Sequence, residues 1–127
     1  MSVKAVICIV MLLNLIGCGK MSNSGVNESN KPEFVLETLK IINMLRSDFE
    51  KKHGLNRTQI NIINQYSEKY PKENMEKEQW IKAKTMLLDV YIGIIVSQNN
   101  MLMKGEKIKD SEFEYYLEQL KLIEDML

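Results

Sequence analysis

Residues Met86–Val96 read MLLDVYIGIIV, eleven positions in which Asp89 is the only charge. A segment apolar on nearly every side fits a helix enclosed by other helices. It is too short to cross a bilayer, which takes about twenty residues, and a carboxylate at its centre would be costly there. Outward from this stretch the apolar residues keep a helical period, with Trp80, Ala83, Leu87, Val90, Tyr91, Ile94 and Met101 on one face. No proline interrupts the chain from about Asn74 to Lys104, and Gly105 is placed to end the helix.

The flanking segments repeat the pattern. A first helix is expected from Pro32, with Val35, Leu39, Ile42, Leu45 and Phe49 inward; Lys51, Lys52 and His53 meet its negative end and Gly54 supplies a left-handed cap. A second is expected from Asn56, paired with Gln59 as a cap, through Ile60, Ile63, Tyr66 and Tyr70 until Pro71 stops it. The last opens on a capping box, Ser111 and Glu114, and buries Phe113, Tyr116 or Leu117, Leu120, Ile123 and Leu127. No stretch alternates in the manner of a strand. The expectation is an all-α fold, a small bundle of about four helices formed by residues 32–127.

The chain has 127 residues, enough for one domain, with 17 basic and 17 acidic side chains. That balance gives no field for nucleic acid, and the lysines are scattered rather than set among aromatics. No phosphate-binding loop or Cys/His metal spacing occurs, so no cofactor or metal is implied. His53 is the only histidine. It forms Glu50-x-x-His53, a spacing that di-metal bundles use twice and this chain has once, so it reads as a helix-end residue. One histidine shared among Ser47, Ser67, Ser97 and Ser111 gives no nucleophile triad.

Most carboxylates lie on charged faces. Asp89 is the exception, flanked by Leu87, Leu88, Val90 and Tyr91, and is expected to need a polar partner. Arg46, near the apolar face of the first helix, or a tyrosine hydroxyl would supply it. Methionine is frequent, at Met44, Met75, Met86, Met101, Met103 and Met126. Such pliable side chains fill cores or line grooves for partner helices. Met101, Leu102 and Met103 are three apolar residues in succession, more than one helix face can bury, so at least one is expected to point outward beside Tyr115 or Tyr116.

The N-terminus has a different character. Lys4 precedes an apolar run, Ala5 to Ile16, broken only by Asn14, and small Gly17 sits directly before Cys18. The junction Leu15-Ile16-Gly17-Cys18 resembles the lipobox of bacterial lipoproteins. The resemblance implies a signal peptide over residues 1–17, cleavage between Gly17 and Cys18, and a diacylglycerol on the Cys18 thiol, with two or three acyl chains making a durable membrane anchor. Removal of Cys8 with the signal peptide leaves no second thiol for a disulfide. Gly19 follows the cysteine in place of the aspartate that holds lipoproteins in the inner membrane of enteric bacteria, so a Gram-negative source implies the outer membrane, facing periplasm or exterior. Residues 18–31 are rich in Ser, Asn and Gly, composition for a flexible tether spanning roughly 20 Å.

Two classes of function follow. One is a non-enzymatic envelope lipoprotein whose bundle binds another protein; its outline is similar to pilotins, which grip an amphipathic segment of a secretin subunit, and to immunity or exclusion lipoproteins. The other is an envelope enzyme acting on peptidoglycan or lipid, which needs carboxylates converging in a cleft around Asp89.

Overall fold

The computed structural model describes residues 32–127. The signal segment, Gly17, Cys18 and the tether lie outside these residues. The described chain is all-α: α1 (Glu33–Glu50), α2 (Arg57–Lys69), α3 (Glu78–Lys104) and α4 (Asp110–Asp125), with one 3-10 turn at Lys72–Asn74. The bundle core sits in the compact unit Glu37–Leu127; the first turn of α1 falls outside that unit.

Most of the expected inward residues are buried, while Leu39, Ile60, Tyr70, Tyr91 and Leu127 are half-buried and Met101, expected on the inward face of the third helix, is exposed. Ile42, Leu45 and Phe49 of α1, Ile63 and Tyr66 of α2, Ala83, Leu87, Val90 and Ile94 of α3, and Phe113, Leu120 and Ile123 of α4 are all buried. Phe49 of α1 packs on two aromatic rings of α4, its ring centroid 5.9 Å from Phe113 and 5.6 Å from Tyr116. The Thr38 and Tyr66 hydroxyls meet at 2.6 Å within the core. Helices α3 and α4 run antiparallel, a register fixed by Ser97 donating to Glu112 at 2.6 Å near one end and Gln79 donating to the Met126 carbonyl at 3.1 Å at the other.

The helix ends explain the chain's turns. At the close of α1, His53 N–H donates to Asp48 O at 2.8 Å and Lys52 N–H to Phe49 O at 3.0 Å, the paired bonds of a Schellman turn. The left-handed residue is Lys52, with φ 59°, and not Gly54 as expected. Gly54 is needed for a different reason: a Cβ there would lie 2.6 Å from Cδ of Gln98. The Asn56 and Gln59 capping box forms, both bonds at 2.9 Å. Beyond it, α2 ends at Tyr70 before Pro71, and Lys84 of α3 donates to the exposed carbonyls of Ser67, at 2.8 Å, and Tyr70. A lysine at the negative end of a helix satisfies acceptors the helix itself leaves open.

Two boundaries differ from expectation. The third helix begins at Glu78 rather than near Asn74, because Lys72–Asn74 close a 3-10 turn and Met75 and Lys77 are extended. The fourth begins at Asp110 with no side-chain cap, so Ser111 and Glu114 form no capping box; acidic Asp110 and Glu112 in the first turn favour the positive helix end instead. Gly105 ends α3 in the left-handed conformation, φ 70°, as expected.

Candidate partner-binding surface

α3 is long and apolar enough to cross a membrane by length and composition, but one of its sides is bundle core. Its opposite side is not enclosed, contrary to the expectation from MLLDVYIGIIV. Ile92 is 57% exposed and Val96 52%, and further along Leu102 and Met103 are 79% and 82% exposed. Helical geometry explains the difference: α4 takes the flank of α3 at Gly93 and Ser97, α2 takes the flank at Lys84 and Tyr91, and the turn between those flanks faces water. From Val90 to Met103 the chain carries no charged residue. The exposed face is therefore uncharged and mainly apolar, with Asn99 and Asn100 as polar residues within it, the surface type that marks interaction sites.

The sequence-derived candidates are not gathered into one place. Met101 and Met103 are exposed at the end of α3, as their crowding suggested. Tyr115 is exposed too, but it lies beside Met86, Asp89 and Val90, roughly 18 Å along the α3 axis from Met101 at 1.5 Å per residue. Tyr116 is core: its ring packs on Phe49 and its hydroxyl approaches the backbone at Gly93, where a Cβ would come within 2.6 Å of it. Burial pushes the Tyr116 phenol up, against the opposing effect of its hydrogen bond with Ser97.

Asp89 and Arg46 do not pair. Arg46 reaches across to Glu124 of α4 at 3.2 Å and to Asn43 at 3.1 Å. Asp89 is exposed, because it stands two residues from Leu87, on the far side of the helix from the core. Burial therefore places no demand on Asp89 for a structural partner. It borders a small cavity of about 110 Å³ with Met86, Val90, Tyr115, Tyr116 and Gln119, in which it is the only carboxylate. His53 is exposed at the α1 turn, and no group of three or more potential metal ligands occurs among the described residues.

A second cleft, of about 330 Å³, lies between α1 and α2, where Lys69 donates to Glu37 at 2.6 Å across its mouth. Ile41, Ile62 and Tyr66 line it.

No protein-family model matches the chain, and neither curated proteins nor solved structures contain a significant match to it.

The exposed half of α3 was the feature the sequence reading missed. A uniformly apolar stretch hides which side is covered, since the covering helices are set by α2 and α4. The signal that was available is the absence of charge from Val90 to Met103 in a chain that is 27% charged.

Proposed function

We propose that this chain is a bacterial envelope lipoprotein, anchored to a membrane through lipid on Cys18, whose bundle acts without catalysis by binding another protein through the outer face of α3. The observation that carries the reading is the uncharged run Val90–Met103 with Ile92, Val96, Leu102 and Met103 in water. An amphipathic helix laid along such a face buries apolar surface on both sides without desolvating a charge. The junction Leu15-Ile16-Gly17-Cys18 supplies the anchor, and residues 19–31 the tether.

Within this class the outline is that of pilotins and of immunity or exclusion lipoproteins, at the level of architecture alone. A membrane-held adaptor needs a grip and a leash, the parts that α3 and residues 19–31 would supply. The enzymatic alternative draws less support. Cleavage of a glycan uses two carboxylates some 5–10 Å apart, and the cavity at Asp89 offers one.

Metabolic labelling with a palmitate analogue tests the anchor, and membrane sedimentation reports its effect. The wild-type chain is expected to carry label and sediment with membranes, while Cys18→Ser loses the label and leaves an uncleaved or unlipidated precursor. Persistent label in Cys18→Ser would overturn the reading.

A further inference from the structure

α3 carries two helical seams. The inner one packs in the core. The outer one follows a seven-residue repeat, with Thr85, Ile92 and Asn99 at the first position of each heptad and Ile81, Leu88, Ile95 and Leu102 at the fourth. Thr85, Ile92, Asn99 and Leu102 are exposed, and Ile81, Leu88 and Ile95 are half-buried. Alternating spacings of four and three are the pattern by which two helices interlock knobs into holes. The first positions and Leu102 are thus open to water, while the other fourth positions are half-covered.

We propose that the outer seam of α3 pairs with the same seam of a second copy of this chain, parallel and in register, as a two-stranded coiled coil. The proposal rests on the reading that the outer face of α3 is the binding surface, and it names the occupant.

The polar residues along the seam select this arrangement. Thr85 already donates its hydroxyl to the Ile81 carbonyl at 2.9 Å, which leaves its methyl group for the interface. Asn99 is the polar residue at a first position. In a parallel pair each first position faces its own copy, so the two Asn99 amides can donate to and accept from one another, the device that fixes register and favours two strands. In an antiparallel pair Asn99 would face an apolar fourth position, with its amide unmatched.

Charge points the same way. Asp89 flanks the seam at the fifth position, and Lys84 flanks it at the seventh. In a parallel coiled coil a seventh position faces the fifth position of the next heptad on the other strand. Asp89 of each copy therefore stands opposite Lys84 of the other. An ammonium has three donors, and Lys84 gives two to Ser67 and Tyr70, leaving a third for the carboxylate. An antiparallel pair overlapping along the whole seam would set Asp89 beside Val96, with no cation in reach.

The seam runs about 31 Å from Ile81 to Leu102, a short contact for a specific interface. Two chains anchored in one membrane meet at raised effective concentration, which favours such a contact. A two-fold axis parallel to α3 also carries both N-termini to the same side, as anchoring in one membrane requires.

Cysteine crosslinking of the full chain in membranes tests the proposal. Leu102→Cys places a thiol at a fourth position, where it faces itself only in a parallel, in-register pair; Lys121→Cys, exposed on α4, reports random collision, and the unsubstituted chain reports any background from Cys8 and Cys18. Under mild oxidation Leu102→Cys is expected to give a dimer at least tenfold faster than Lys121→Cys. Adding Ile92→Lys should bring it down to the Lys121→Cys level with the melting temperature unchanged. Equal rates at the two positions would overturn the proposal. So would an adduct of Leu102→Cys with a protein of different mass, which leaves the binding surface standing and reassigns its occupant. No adduct at Leu102→Cys above background would overturn the second copy alone, because a different partner without a thiol at that point forms no disulfide; the surface itself is tested by photocrosslinking from Val96.

Discussion

Gln98 holds both polar groups of one residue in the loop after α1: its Oε1 accepts the Leu55 N–H at 2.6 Å and its Nε2 donates to the Leu55 carbonyl at 3.0 Å. The amide thereby completes, from α3, the backbone bonding of a part-buried loop that has no ladder of its own. Gln98→Ala is expected to cost about 1–3 kcal/mol in a urea melt, the range for leaving buried groups unmatched. Gly54→Ala should cost a similar amount, because its Cβ can enter only by displacing that amide. The two losses share one cause, so the double variant should be clearly less destabilised than their sum. Full additivity would mean the Gly54 contact is unimportant.

Gly93 and Tyr116 stand in a comparable relation. A Cβ at Gly93 would meet the Tyr116 hydroxyl at 2.6 Å and the ring carbon behind it at 3.1 Å. Gly93→Ala should destabilise by about 1–3 kcal/mol, as overpacking does. Tyr116→Phe removes the nearest atom and should recover part of that loss in the double variant, measured by thermal unfolding. No recovery would locate the strain elsewhere.

Lys52 combines an unfavourable backbone with a favourable side chain. Its left-handed conformation costs a non-glycine residue on the order of 1 kcal/mol, while its ammonium donates to Asp110 at 2.9 Å in full solvent. Exposed pairs of this kind contribute little, so Lys52→Gly should raise the melting temperature. The same substitution should release the Asp110 carboxyl, which Lys52 holds below the usual carboxylate range by its hydrogen bond and its charge. A depressed folded-state value stabilises above the ordinary carboxylate pKa and ceases to do so as pH falls through the lowered one. Carboxyl titration by NMR should therefore show the Asp110 midpoint moving up in Lys52→Gly. An unmoved midpoint would contradict the pairing.

Met101 and Met103 are exposed, so a charge at either position enters water rather than core. Met101→Lys and Met103→Lys should leave the melting temperature within about 2–4 °C, since most exposed substitutions stay within about ±0.5 kcal/mol. A collapse of stability in both variants would show them to be packing residues after all.

Much of the fold was legible because its determinants are local. The inward faces of Ile42, Leu45 and Phe49, of Leu87, Val90 and Ile94, and of Leu120 and Ile123 follow from spacing alone, as do the Asn56 cap and the Gly105 stop. The misreadings are tertiary. Gly54 looked like a cap because glycine usually is one, whereas its role is to make room for Gln98, 44 positions later in the chain. Asp89 looked buried because its sequence neighbours are apolar, but a helix turns neighbouring residues to different sides. The surface was legible only in part: the exposure of Met101 and Met103 was readable from their crowding, while the outer side of Ile92 and Val96 depends on where α2 and α4 pack.

The most direct test of the account is photocrosslinking from Val96 in the membrane-anchored chain, with the same photoreactive residue at Lys121 as the reference. A discrete protein adduct, a second copy or another envelope protein, is expected from the Val96 position, absent from the Lys121 position and lost when Ile92 is changed to lysine. Labelling from Val96 no stronger than from Lys121, with no discrete protein species, would contradict it.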